Sequence, residues 1–255
     1  MSICDGSPKN VSFVLKSSEK LTVHIESVHD NPHKFLGATV TYTNTAQEYY
    51  QQFRKILSDK LTNIDNSRVR GEHKLAIYER HALPSMRYHL SIHDLNKTHL
   101  DGLDKVARMF IKMWLKYPTR GVTDVGIFHP YLLNVKQPSH LYYEGHASNL
   151  LLMKTKGDIT VNKCISSKLE RESQWKRKSS TAVKSNQIVA PIVDNMSTIS
   201  RSEGNMYKNG IGKAKRQVKK SVSEEVKERW NEKVKRLTMQ GDFTGLLIEE
   251  EQSVT

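Results

Sequence analysis

The sequence predicts an α+β chain in which helix dominates. It should hold a small antiparallel β element, then a helical bundle, then a basic helical extension. Three observations predict this. Two short β-branched runs flank a polar turn near the N-terminus. Three apolar stripes at three- and four-residue spacing follow. Most of the excess positive charge then falls in the last hundred residues.

Val11–Lys16 and Leu21–Ile25 are the β-branched runs, and Ser17–Lys20 is the turn between them, which reads as a hairpin. After a turn at Asp30-Asn31-Pro32, a third strand is expected over Lys34–Tyr42, with Gly37 kinking it or letting another backbone approach. Thr45 and Glu48 form a capping box. Behind them Ala46, Tyr49, Phe53, Ile56, Lys60 and Ile64, with Tyr50, Leu57 and Leu61 beside them, mark one face of a helix of about twenty residues. A second helix is expected over Glu72–His89, bent or broken at Pro84. A third begins near Thr98, paired with Asp101 as its cap. It runs through Leu100, Leu103, Ala107, Phe110 and Trp114 to Tyr117, and Pro118 stops it. Three amphipathic helices with short links pack their stripes together.

Thr119–Pro138 reads as irregular, with two Gly and two Pro. Ser139–Met153 and Asp158–Trp175 read as further helices. Lys176–Tyr207 is rich in Ser, Thr and Asn and reads as a linker. Lys213–Gln240 reads as a charged helix with a thin apolar edge of Val218, Val222, Val226, Trp230, Val234 and Leu237. The expected segments are thus 1–43 (strands), 44–118 (helical bundle), 119–175 (two further helices), 176–212 (flexible linker), 213–240 (basic helix) and 241–255 (acidic tail).

The net charge of +13 on 255 residues is unevenly spread. Lys154–Gln240 holds 21 Lys and Arg against nine Asp and Glu, whereas Gly241–Thr255 holds four acids and no base. Such a balance concerns partners rather than fold, and the polyanionic backbone of RNA or DNA leads. No lipidation motif or long apolar run points to a membrane. Two distant cysteines, Cys4 and Cys164, fit a reduced, intracellular chain. The eleven histidines make no metal-ligand spacing, and no nucleophile triad, P-loop or dinucleotide motif is present. The basic clusters Lys176–Lys178 and Lys213–Lys220 read as nucleic-acid contacts, nuclear targeting signals or solvated helix surface. Arg54, Lys55, Lys60, Lys105, Arg108, Lys112 and Lys116 lie on polar helix faces. They read either as tracking a nucleic-acid backbone or as ordinary solvated charge.

One set of motifs is more specific. Pro8–Phe13, the turn at Ser17–Lys20, and Lys34-Phe35-Leu36-Gly37 stand in order before the helices. Tyr88-His89-Leu90 and Lys112-Met113-Trp114-Leu115 follow, then Asp158–Val161, Arg171–Trp175 and Gln240–Phe243. In this order the chain resembles the C-terminal part of reverse transcriptases of non-LTR (LINE-like) retrotransposons, over nearly its whole length. The resemblance implies the end of a polymerase palm, a helical thumb and a post-thumb region. It implies that Lys34, Phe35, Leu36 and Gly37 steer a primer end. Arg54, Lys55, Arg108, Lys112 and Lys116 would hold the template–primer duplex, and Lys215 and Arg216 of the basic cluster, at the start of a helix where positive charge opposes the dipole, are read as binding nucleic acid. Lys9 would match the family's palm lysine, although without the metal site it reads as a solvent lysine at a strand start.

The departures bear on activity. The family's Tyr-x-Asp-Asp box belongs before residue 9, where Asp5 stands alone, and two-metal phosphoryl transfer needs at least two converging carboxylates. The family's strand Cys and turn Gly are replaced by Asn10 and Ser18. The cysteine-rich knuckle and the endonuclease that many relatives carry downstream are expected to be missing. The expectation is therefore a truncated RNA-directed DNA polymerase fragment that grips nucleic acid and does not polymerise alone. It would need no cofactor, with Mg²⁺ expected only in a full-length relative. The alternative is a non-enzymatic basic helical module that binds nucleic acid or protein.

Overall fold

The computed structural model describes residues 46–118, 124–155, 158–174, 181–194 and 210–235 in full. It describes the backbone alone for residue 175, residues 195–197 and 204–209, and six short strand segments before residue 41. The chain divides into two units, residues 1–52 and 53–255.

The expected α+β class is overturned. The residues described in full are helices and their connections, with no strand among them, so the body is all-α. The first unit carries three separate antiparallel pairs and the first turns of helix α1. Ile3–Cys4 (β1) pairs with Ser7–Pro8 (β2), Phe13–Lys16 (β3) with Thr22–Ile25 (β4), and His33–Phe35 (β5) with Ala38–Val40 (β6). Among the described residues no strand is shared between pairs, so no palm-like sheet is built. Isolated two-stranded ribbons bury too little to act as a layer. The strand expected over Lys34–Tyr42 is instead two short strands, with Leu36 and Gly37 outside the described residues.

In the second unit the apolar stripes do the packing. Helix α1 (Ala46–Asp65) buries Phe53, Leu57, Leu61 and Ile64, spaced by four, four and three residues. Thr45 of the expected capping box lies outside the described residues.

Helix α2 (Gly71–Ile77) passes through a π-helical turn (Tyr78–Ala82) into α3 (Leu83–Ile92) without a break. Pro84 explains the wide turn. A proline ring clashes with the carbonyl four residues back, and a helix widened just ahead of it, with Leu83 N donating to Tyr78 O, relieves that crowding. The expected bend at Pro84 is thus absorbed within a continuous helix.

Helix α4 (Lys97–Trp114) buries Leu100, Leu103, Ala107, Phe110, Ile111 and Trp114. Its cap is Asn96, whose Oδ1 accepts from His99 N at 2.8 Å, and not the expected Thr98–Asp101 pair. At the far end Tyr117 N donates to Lys112 O (2.9 Å) and Lys116 N to Met113 O (3.1 Å). This is a Schellman motif in which Lys116, at φ 56°, takes the left-handed position usually given to glycine.

The stretch expected to be irregular holds the short helix α5 (Asp124–Phe128), with Val125, Ile127, Phe128 and Val135 buried. Helix α6 (Pro138–Thr155) is the central element and packs against α3, α4, α8 and α9. Gly145 makes its close approach to α3 possible, because a Cβ there would lie 2.7 Å from Ser91 Cβ. Helix α7 (Ile159–Trp175), capped by Asp158, buries none of its residues described in full.

The linker expected over 176–212 is also corrected. It contains helix α8 (Thr181–Ser197), and helix α9 (Gly204–Lys235) begins inside it. The Ser/Thr/Asn content of α8 hides a stripe in which Ser185, Val189 and Ile192 are buried. Val189 and Ile192 join Ala147 and Leu151 of α6 and Ala214, Val218 and Val222 of α9 in one apolar cluster. That burial offsets the helix-breaking tendency of Pro191 inside α8.

Candidate nucleic-acid interface

Helix α9 buries Ala214, Val218 and Val222 at four-residue steps. A helix pinned along one stripe holds the residues off that stripe towards solvent. Lys213, Arg216, Lys219 and Lys220 are exposed and Lys215 is half-exposed. At 1.5 Å rise per residue the run from Lys213 to Lys220 spans roughly 10 Å. Lys213, Lys215 and Arg216 make no ion pair among the described residues. Lys219 reaches Glu144 at 3.1 Å, and Lys220 makes an exposed pair with Glu224 at 3.8 Å.

The cations of α4 are placed differently. Arg108 is hydrogen-bonded to Asp124, and Lys112 Nζ lies 3.6 Å from the same carboxylate. Lys233 of α9 approaches it at 3.8 Å. Lys112 is buried along most of its length, and Asp124 is a carboxylate that its ammonium approaches. A second hub forms at buried Glu144, which pairs with Arg87 as well as Lys219. Burial works to raise the Glu144 carboxyl. The Lys219 hydrogen bond and the charges of Arg87 and Lys219 outweigh it and hold the group below its ordinary range.

Of the residues expected to hold a duplex, Arg54 and Lys55 are exposed on α1 and make no ion pair among the described residues. Lys215 and Arg216 stand on the outer surface of α9. Arg108 and Lys112 are gathered into the Asp124 hub instead of facing solvent together. Lys116 is exposed, but its backbone closes α4. Lys34 and Phe35 lie in β5, opposite Thr39 and Ala38. Lys9, Leu36 and Gly37 fall outside the described residues.

Three residues not singled out in the sequence organise this region: Asp124, Glu144 and His129. His129 is fully buried. Its Nδ1 accepts from Tyr131 N at 3.3 Å, so its Nε2 carries the proton donated to Asn231 Oδ1 at 2.8 Å. Burial lowers the His129 pKa, which keeps the ring neutral, and the bond ties the 128–137 segment to α9. Asp124 sits sixteen residues from Arg108, and no periodic signal joins positions so far apart.

Among the described residues no group of three or more His, Cys, Asp or Glu converges as metal ligands, and Cys164 is free and exposed. No described helix is long and apolar enough to cross a membrane. No protein-family model, curated protein or solved structure matches the chain.

Proposed function

We propose that this chain is a non-enzymatic helical module that grips the sugar–phosphate backbone of RNA or DNA through the outer surface of α9. One observation carries the reading: Lys213, Lys215 and Arg216 are presented together, without ion-pair partners among the described residues, on a helix anchored by its opposite stripe. Unpaired cations release counterions when they meet phosphates, and that release drives sequence-independent binding. Cations already closed on a carboxylate gain less. The resemblance to a reverse-transcriptase thumb sharpens the proposal to a template–primer duplex, with Arg54 and Lys55 of α1 as a second contact.

The test is salt-dependent binding of a labelled duplex by fluorescence anisotropy. Replacing Lys215 and Arg216 by Gln should weaken binding at moderate salt and reduce the slope of log affinity against log salt by about 2. It should leave the melting temperature in place. Replacing Arg108 and Lys112 by Gln should lower the melting temperature and leave the slope nearly unchanged. A slope insensitive to the α9 pair sinks the proposal. Preference for a recessed primer end over a blunt duplex supports the thumb-type grip, and equal binding of the two removes that refinement.

A further inference from the structure

A cleft of about 430 Å³ opens between the 128–137 segment, the first turn of α6 and the middle of α9. Its floor is apolar, formed by Phe128, Val135, Val226 and Trp230. Phe128 and Trp230 stack at 5.9 Å between ring centroids, and Lys233 lies 4.4 Å from the Trp230 ring centre. The floor is therefore held in place before anything binds.

The rim is cationic. The lining includes three lysines, Lys136, Lys220 and Lys227, against one acidic residue, Glu224. Lys227 is positioned by Tyr131, to whose hydroxyl it donates and whose ring centre lies 4.3 Å from Nζ. The Lys220–Glu224 pair is 3.8 Å apart and mostly solvent-exposed, so little free energy holds Lys220 to it. Burial, against the opposing pull of Glu144, lowers the His140 pKa, so this lining residue adds a hydrogen-bonding group rather than a charge. Lys215 and Arg216 form no part of the lining.

An apolar floor with an anion-attracting rim suits a ligand that is planar and apolar at one end and polyanionic at the other. We propose that this cleft binds a nucleotide, with the phosphate among Lys136, Lys220 and Lys227 and the base against the Phe128–Trp230 wall. The unit is either a free nucleoside phosphate or one nucleotide of a single strand, since both present the same phosphate and base. The cleft includes none of Lys213, Lys215 and Arg216, on which the duplex proposal rests, and either can fail without the other.

Calorimetric titration of the full chain distinguishes the outcomes. The ligands are adenosine 5′-monophosphate, inorganic phosphate and a short single-stranded oligoadenylate. The variants are Lys220→Gln with Lys227→Gln, which removes rim charge, and Ser223→Phe, which fills the cleft and leaves every charge in place. Lys215→Gln with Arg216→Gln is the control, and circular dichroism verifies that each variant is folded. Saturable binding that falls by about ten-fold or more in both cleft variants, and holds in the control as far as the free nucleotide is concerned, supports the site. Binding of the mononucleotide identifies the free ligand as a source. Binding of the oligonucleotide alone, with the same sensitivity to both cleft variants, identifies the strand. Inorganic phosphate binding as tightly as the mononucleotide overturns the assignment of the base. Absence of binding by both nucleotide ligands, or binding indifferent to both cleft variants, overturns the site, whatever the duplex measurements show.

Discussion

Arg108 and Lys112 on α4 and Lys215 and Arg216 on α9 are the same kinds of residue on the polar sides of two amphipathic helices. Their surroundings separate them. The α4 pair lies beside α5, whose first residue, Asp124, collects both charges and a third from Lys233. The α9 pair has no such carboxylate among the described residues. One pair is therefore spent on internal structure and the other remains available to a polyanion. The lesson is that a count of basic residues measures capacity for binding, and the tertiary placement of a few acids decides how much of it is offered.

The largest expected effect breaks the comparison at its hub. Asp124→Ala removes the carboxylate that Arg108, Lys112 and Lys233 share, and breaking such a partly buried hub should cost about 3 kcal/mol. Thermal or urea unfolding measures it. A loss under about 0.5 kcal/mol, the scale of an ordinary surface substitution, would erase the distinction between the two pairs.

Acidification tests the buried and half-buried titratable groups of the bundle. Burial lowers the pKa of His93, His129, His140 and His146 in the folded chain. The unfolded chain therefore binds more protons as pH drops below about 6.5, and stability falls. Asp104 acts in the opposite sense. Burial pushes its carboxyl up to about 6 from 3.8, so the folded state holds the extra proton between those values and gains stability there. Four histidines against one aspartate give a net loss of melting temperature from pH 7 to pH 5. Asp104→Asn should steepen that loss, and a melting temperature that rises towards pH 5 would contradict the balance.

The smallest effect concerns Lys116, whose place among the expected duplex contacts competes with its place in the cap. Lys116→Gly removes the penalty of a side chain at φ 56° and should stabilise the chain by up to about 1 kcal/mol. If duplex affinity is unchanged while stability rises, the residue belongs to the cap alone.

The helical bundle was legible because its stripes are strong and local. Phe53, Leu57, Leu61 and Ile64 define one side of α1, and Leu100, Leu103, Ala107 and Trp114 define one side of α4. Helix α8 was not legible, because Ser185 stands where an apolar residue would signal the stripe and Pro191 signals a break. Its stability comes from α6 and α9, which are distant in sequence. The expected β layer failed for the converse reason. The β-branched runs Val11–Lys16 and Leu21–Ile25 mark local strand preference, but nothing in them specifies which strands join into one sheet. The cations of the candidate interface could be read residue by residue. Their partners could not, since Arg108 meets Asp124 and Arg87 meets Glu144 only after the helices have packed.

Helix α6 faces two ways. Tyr142 exchanges hydrogen bonds with the backbone of Leu95 on one side (3.0 and 3.1 Å), while Ala147 and Leu151 complete the α8–α9 cluster on the other. Detaching α8 and α9 would leave α6 one wall, but removing α6 would leave both groups of helices with an uncovered apolar surface. Unfolding should accordingly proceed inward, with the basic helix released as a sub-global opening while the first bundle stays closed. The amides of α6 should then be the last to exchange with solvent, and the surface that offers charge outward would belong to the part of the molecule that opens first.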